Sequence, residues 1–265
     1  MTEAIRTLTA AACAVLQAAE PADKIRLTRL YGEAWKSGAL TEVGDALPPD
    51  RPARPAQPEL LPPKDMPKRS KGGTRGRIAL LHALAHIELN AIDLAWDIVA
   101  RFAGRESLPR EFYDDWVQVA IDEALHFELL ERRLADLDAA YGDLPAHDGL
   151  WQAATATAGD VLDRLALVPM THEARGLDTT PPTMARLTAN GDAETVAVLD
   201  VIYRDEITHV AAGVRWFRHV CAARGLDPQA DYDARLARLY PGGLKGPFNG
   251  PAREEAGMPA GWYGG

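Results

Sequence analysis

The amino-acid sequence predicts an all-α protein whose main domain is a bundle of four long helices. Apolar residues recur with the period of an amphipathic helix in four long segments, and clusters of Gly, Pro and Asp separate these segments. The chain of 265 residues is 47% hydrophobic, which is enough for a sizeable core. The four predicted helices span about residues 74–104, 110–139, 149–176 and 189–223.

Two short amphipathic helices are predicted ahead of the bundle, at residues 3–19 and 24–36. Between residues 44 and 73 the chain has eight prolines and no helical period, so we predict an extended strap there. The basic residues of this strap are Arg51, Arg54, Lys64, Lys68, Arg69 and Lys71.

The chain after the bundle is predicted to form a short helix at residues 228–239 and then an irregular tail, rich in Gly and Pro, from Pro241 onward. We therefore predict three parts. Residues 1–73 form N-terminal helices and the strap, residues 74–223 form the bundle, and residues 224–265 form an extension that packs on the bundle.

Charge and cysteine content argue against several classes of protein. A net charge of −9 disfavours a general nucleic-acid binder, which needs a broad basic surface. Cys13 and Cys221 show no CxxC spacing, so neither a disulfide framework nor a thiolate zinc site is indicated. The sequence shows no secretory signal pattern and no run of 18 consecutive apolar residues. We expect a cytoplasmic protein without a membrane partner.

The candidate functional residues lie in an internal duplication within the four helices. Residues 122–126, Asp-Glu-Ala-Leu-His, recur as residues 205–209, Asp-Glu-Ile-Thr-His, and in each copy Glu and His lie three residues apart on one helical face. A single glutamate precedes each copy on the helix before it. Glu88 lies 35 residues before the first motif glutamate, and Glu173 lies 33 residues before the second.

This pattern predicts a site for two metal ions. A lone Glu on two helices and a Glu-x-x-His on two others form the ligand set of di-iron and di-manganese carboxylate bundles. Four carboxylates in one core would repel one another and lose hydration unless cations neutralised them. Oxygen and imidazole donors suit iron, or iron with manganese, better than structural zinc. The predicted metal ligands, which are also the candidate catalytic residues, are Glu88, Glu123, His126, Glu173, Glu206 and His209.

The alternative interpretation is that these glutamates and histidines form ordinary surface ion pairs. A lone Glu in a helix usually faces solvent. Glu88, however, shares its helical face with Leu81 and Ile92, which favours burial. The shared preceding Asp and the matched upstream glutamates also favour the metal site.

Three further residues are predicted close to the ligands. Asp122 and Asp205 would orient the ligating imidazoles, because metal-bound histidines commonly donate their other N–H to a carboxylate. Tyr203, one turn before Glu206, would supply a hydrogen bond or a redox-active phenol, or would simply pack in the core. Gly213 would leave room for dioxygen or a substrate. Three histidines lie off the ligand face and are predicted to be structural: His82, His86 and His172.

Four stretches of the sequence carry a resemblance to a known family: residues 80–95, 112–116, 145–151 and 204–210. With them, the segment from Gly76 through Cys221 resembles the ferritin-like family catalogued as domain of unknown function 455. It is more distantly similar to di-iron tRNA hydroxylases and bacterial multicomponent monooxygenases, in which repeated Asp-Glu-x-x-His helices carry the ligands. Leu125 and Thr208 stand where those monooxygenases typically have Arg. The resemblance implies a ferritin-like four-helix bundle with a metal site and names no substrate.

The function expected from this ligand set is a di-iron oxidoreductase that activates dioxygen to oxidise or hydroxylate a small molecule or tRNA, and it needs an electron donor. An iron-binding ferroxidase is the first alternative. For a tRNA-modifying hydroxylase, the basic residues between 51 and 77 would contact phosphates. The same residues could instead wrap the acidic bundle. The sequence leaves a homodimer open.

Overall fold

The computed structural model describes residues 5–67 and 72–264, and within these ranges every regular element is a helix. The predicted all-α class is therefore confirmed. The chain divides into two compact units, Met1–Gln152 and Ala153–Gly265. The α-helices are α1 Leu8–Gln17, α2 Pro21–Lys36, α3 Gly73–Phe102, α4 Arg110–Ala135, α5 Gly149–Ala156, α6 Val161–Leu167, α7 Ala174–Ala189, α8 Ala193–Arg224, α9 Pro228–Leu239 and α10 Gly250–Glu255. Residues Val168–Glu173 form a π-helical segment, and Pro63–Asp65 and Ala260–Trp262 form 3₁₀ turns.

The first unit is built on the long helices α3 and α4, which pack along each other, with α1 against α3 and α2 against α4. Buried tryptophans join the short helices to the long ones. The indole N–H of Trp96 in α3 donates to the Thr28 hydroxyl at 2.9 Å, and that of Trp35 in α2 donates to Asp114 at 2.7 Å. Helix α2 begins before the predicted position because Pro21 stands at its first turn, where proline is favourable.

The described part of the strap, up to residue 67, contains one 3₁₀ turn and otherwise no helix, as predicted. Two of its arginines bind carboxylates of the first unit. Arg51 lies 2.6 Å from Asp148, and Arg54 pairs with Asp93. These contacts support the interpretation that the strap wraps acidic residues. The predicted basic residues Lys68, Arg69 and Lys71, like the predicted helix start at residues 3 and 4, lie outside the described residues.

The third predicted helix is wrong in both its continuity and its end. The segment 149–176 is interrupted after α5, because Asp160 caps a new helix by accepting from the Leu162 N–H at 3.0 Å. Helix α7 then continues through Pro181 and Pro182, well beyond the predicted end at residue 176. Pro181 has no N–H to give to the Leu177 carbonyl, and the Asn249 side chain donates to that carbonyl instead, at 3.1 Å.

The second unit is organised around α8, against which α6, α7, the π-helical segment, α9 and α10 pack. Asp192 caps α8 by accepting from the Thr195 N–H at 3.2 Å, so this helix begins after the predicted residue 189. Helix α9 matches the predicted range 228–239. The division of the chain into parts at residues 73/74 and 223/224 stays a prediction.

Helix α3 is long and apolar enough to cross a membrane by length and composition alone. In this protein, 67% of its most apolar window is buried, as is typical of a core helix. Cytoplasmic location stays a prediction.

The π-helical segment lies directly against α8 at Gly213. A Cβ atom at this glycine would stand 2.6 Å from the Pro169 Cβ and 2.7 Å from its Cγ. The open space predicted at Gly213 is therefore filled by Pro169, and the glycine serves close packing.

Gly213→Ala is expected to lower the free energy of unfolding by about 1–3 kcal/mol, because the new methyl group overpacks the contact with Pro169. Urea denaturation followed by circular dichroism measures this. Gly176→Ala in α7 is the matched control. A Cβ there meets nothing within 4 Å, so it should be neutral or add about 0.5–1 kcal/mol. Equal effects of the two substitutions would contradict the packing argument.

Candidate metal centre

Three of the predicted ligands come together in the first unit. Glu88 on α3 and Glu123 and His126 on α4 each offer a ligand atom, and these atoms lie within 4.8 Å of one another. The His126 Nδ1 is 3.5 Å from Glu88 Oε2 and 3.3 Å from Glu123 Oε2. We call these three residues the first half-site. Such a group of oxygen and imidazole donors could hold a metal ion.

The helices place these side chains in the core because the residues around them are apolar. On α3, Leu81, Ala85 and Ile92 lie one or two turns from Glu88 and are completely buried. The three-residue spacing of Glu123 and His126 points both toward the same side of α4. The exposed fraction is 3% for Glu88 and 0% for Glu123 and His126. The surface ion-pair interpretation is therefore wrong for these residues.

The electrostatics of the first half-site favour a bound cation. Burial first, and then repulsion by the Glu123 carboxylate, raise the pKa of Glu88 to about 8, although His126 acts in the opposite direction. Within the described residues, Glu88 Oε2 is buried and makes no hydrogen bond of normal length and angle. A metal ion beside these oxygens would supply the missing partner and offset the repulsion.

The second unit carries the other three predicted ligands, which we call the second half-site. Glu206 and His209 lie on α8 and are 9% and 1% exposed. Glu173 is half-buried at the last position of the π-helical segment, which packs against α8. π-Helical turns inside helices occur frequently at functional sites. The union of all six residues in one site stays a prediction.

The residues predicted to support the ligands are placed as follows. Asp122 is half-buried and accepts from the Gln118 side chain at 2.8 Å, and Asp205 is also half-buried. Their predicted role in orienting the imidazoles stays a prediction. The Tyr203 hydroxyl accepts from Asn249 Nδ2 at 2.9 Å, so this phenol is tied to the C-terminal extension.

The other histidines in these helices make structural contacts, as predicted. His86 lies between the Tyr141 hydroxyl at 2.8 Å and the His147 carbonyl at 3.1 Å, and burial lowers its pKa to about 4. His82 Nε2 accepts from the backbone N–H of Gly142 at 3.0 Å. These imidazoles are therefore neutral at pH 7. His172 packs edge-on against the Tyr240 ring.

Two buried aspartates are not among the residues predicted from the sequence motif. Asp93 and Asp178 are 0% and 7% exposed, and each binds an arginine from outside the long helices. The signal that could have revealed them is a spacing. Each aspartate follows the lone glutamate of its helix by five residues, which extends the internal duplication.

The helix pairs and the buried carboxylate and histidine cluster define an all-α protein with a candidate carboxylate metal site. The chain belongs to the family described as protein of unknown function (DUF455), whose model matches residues 17–264. It is similar to an uncharacterised protein of Haemophilus influenzae, 41% identical over 252 residues that cover 92% of this chain and 88% of the relative. No solved structure matches the chain. The predicted resemblance to domain of unknown function 455 is confirmed.

Glu88→Gln should have opposite effects on the metal-free and metal-loaded protein. Because the folded-state pKa of Glu88 is about 8, above the ordinary 4.5, ionisation of Glu88 progressively lowers the stability of the metal-free fold as pH rises from 4.5 to 8. The neutral amide removes this loss. At pH 8 the metal-free variant should therefore unfold at a higher temperature than wild type, and near pH 4 the two should agree.

Bound metal should reverse the order of the two unfolding temperatures, because the amide of the Glu88→Gln variant is a weaker metal ligand than the Glu88 carboxylate. Thermal unfolding after chelator treatment, and again with added Mn²⁺, measures both effects. Glu33→Gln, at an exposed position of α2, is the control and should leave both unfolding temperatures unchanged. A Glu88→Gln variant that is stabilised by Mn²⁺ as strongly as wild type would contradict the assignment of Glu88 as a ligand.

Proposed function

We propose that this protein is a di-metal carboxylate oxidoreductase that holds two iron ions and uses dioxygen to oxidise or hydroxylate a substrate. The observation that supports it best is the buried convergence of Glu88, Glu123 and His126. Three such side chains in an apolar core are unfavourable without a cation. The second copy of the motif supports a second ion.

The donor set fits this cofactor. Carboxylate oxygens and imidazole nitrogens are ligands for iron and manganese, and the chain offers no thiolate cluster for structural zinc. In our proposal each half-site supplies one carboxylate from its lone glutamate and a carboxylate and an imidazole from its motif. One iron ion with one manganese ion is the alternative metal pair, because manganese prefers the same oxygen and nitrogen donors as iron.

When bound, such a pair of ions supplies redox equivalents and a place for dioxygen to react. The chain itself performs three tasks. The apolar side chains around Glu88 exclude bulk water from the first half-site, the helices fix the angle between the ligands, and Glu88 holds a proton in the absence of metal and releases it when metal binds.

The proposed reaction needs a partner that donates electrons. Hydroxylation of a C–H bond inserts one oxygen atom of dioxygen and reduces the other to water, and this takes two electrons and two protons beyond those of the substrate. A separate electron donor would supply them. The substrate would be a small molecule or tRNA, in cytoplasm, and a homodimer stays compatible with the proposal.

The tRNA alternative receives little support from the strap. The guanidinium groups of Arg51 and Arg54 already bind Asp148 and Asp93, so they are not held ready for phosphates. These two arginines therefore do not support a polynucleotide over a small-molecule substrate.

Metal content tests the proposal first. Protein purified without chelators or a nickel column should carry about two iron or manganese ions per chain by elemental analysis. The double substitution of Glu123 and His126 by Ala should abolish tight binding of two ions while leaving far-ultraviolet circular dichroism largely intact. In the matched variant, Ala replaces Glu206 and His209, and tight binding of two ions should be lost in the same way with circular dichroism largely intact. Unchanged metal content in either variant would show that the ligand assignment is wrong.

Dioxygen consumption separates an oxidoreductase from an iron-binding protein. The protein is loaded anaerobically with ferrous iron and then exposed to dioxygen with a chemical reductant. An oxidoreductase should continue to consume dioxygen as long as the reductant lasts, with the bound iron unchanged in amount. Consumption that stops when the added ferrous iron is oxidised, together with accumulation of iron beyond two ions per chain, would favour the ferroxidase alternative.

A further inference from the structure

The two buried aspartates stand in equivalent positions of the internal duplication. Asp93 follows Glu88 by five residues on α3, and Asp178 follows Glu173 by five residues in α7. Five residues rotate a helix by about 140° beyond one full turn, so each aspartate leaves its helix on the side away from the glutamate. A contact that fixes the aspartate therefore also fixes the direction of the glutamate.

In the first unit, Asp93 is held from two sides. Lys24 of α2 lies 2.7 Å from Asp93 Oδ1, and both side chains are completely buried. Arg54 of the strap pairs with the other oxygen of Asp93 and also donates to Asn90 Oδ1 at 2.6 Å. Asn90 in turn donates to the His86 carbonyl at 2.7 Å. Arg54 of the strap therefore contacts two residues of α3, Asn90 and Asp93, which follow Glu88 by two and five residues.

In the second unit, Arg253 of α10 plays the corresponding part. Its guanidinium donates to both oxygens of Asp178, at 2.9 and 2.7 Å, and to the Ala174 carbonyl at 3.1 Å. Ala174 directly follows Glu173 in the chain. The Arg253 side chain is 1% exposed. The fork therefore fixes the first turn of α7 at two points, one of them next to the predicted ligand.

Asn249 adds a link from the same segment to α8. Its backbone N–H donates to Asp178 Oδ1 at 2.9 Å, and its side chain donates to the Leu177 carbonyl and the Tyr203 hydroxyl. Tyr203 lies one turn before Glu206. The C-terminal extension thereby holds the helix after Glu173 and the helix of Glu206 in a fixed register.

We propose that Arg54 and Arg253 are positioning residues for metal binding, which act through Asp93 and Asp178 on Glu88 and Glu173. The inference rests on the proposed metal site. A guanidinium fork fixes orientation because it makes two directed hydrogen bonds, and a lysine ammonium in its place keeps the charge but loses that geometry. Segments outside the four long helices thus set the directions of the two lone glutamates.

The test compares Arg54→Lys and Arg253→Lys with Arg235→Lys. Arg235 of α9 is a matched control, because it also binds several aspartates, among them Asp160 at 2.8 Å and Asp163, but these two lie ten or more residues before Glu173 in the chain. Each protein is made metal-free and titrated anaerobically with ferrous iron against a competing chelator. Thermal unfolding of each metal-free protein is recorded in parallel.

Arg54→Lys and Arg253→Lys should weaken iron binding about 10- to 100-fold, as loss of supporting contacts behind metal ligands does. Arg235→Lys should lower the unfolding temperature of the metal-free protein without changing iron affinity. Iron affinities of the first two variants equal to wild type, or weakened no more than in Arg235→Lys, would overturn the positioning role. If either lysine variant fails to fold, Asp93→Asn or Asp178→Asn, which keeps the side-chain shape, takes its place with the same expected weakening.

The wild-type titration separates this inference from the proposed function. Wild-type protein that binds no iron would overturn both. Wild-type protein that binds two ions, with variants that bind them equally well, would overturn only the positioning role.

Discussion

The burial of Glu88 beside Glu123 is the constraint on which the first unit depends. A carboxylate that is 3% exposed and faces a second carboxylate resists ionisation, and its pKa of about 8 expresses that resistance. The sequence nevertheless retains both acids in a core otherwise made of apolar side chains. Buried groups that lower stability are expected where function requires them. A cation is the simplest partner that turns this arrangement from unfavourable to favourable.

The rest of the structure keeps the helices that carry these acids in place. In the first unit, α1 and α2 pack on the long helices, and the strap adds Arg54 at Asp93. In the second unit, the C-terminal extension reaches α7 through Arg253. The segments that the sequence marks as irregular therefore do more than connect helices. They carry the arginines that bind buried aspartates, Arg54 in the strap and Arg253 on the short helix α10.

The sequence predicts the elements with strong local signals. Helices α3, α4 and α8 agree with their predicted ranges within a few residues, because long apolar periodicity defines them. The sequence predicts that the third helix ends at residue 176, before Pro181. It cannot show that α7 continues, because the contact that compensates for this proline comes from Asn249, 72 residues from Leu177. The π-helical segment depends on Pro169 fitting against Gly213, which is also a tertiary contact. The ligand residues could be found because they repeat, whereas Arg54 and Arg253 could not, because they lie at unrelated positions.

The central claim is that two metal ions bind to the duplicated carboxylate and histidine motif. The most direct measurement is anomalous X-ray diffraction at the iron edge from crystals of the ferrous-loaded protein. Our account predicts two anomalous peaks per chain, one beside Glu88, Glu123 and His126 and the other beside Glu173, Glu206 and His209. Iron bound only elsewhere, or no peak beside Glu88 in protein shown to contain iron, would contradict it.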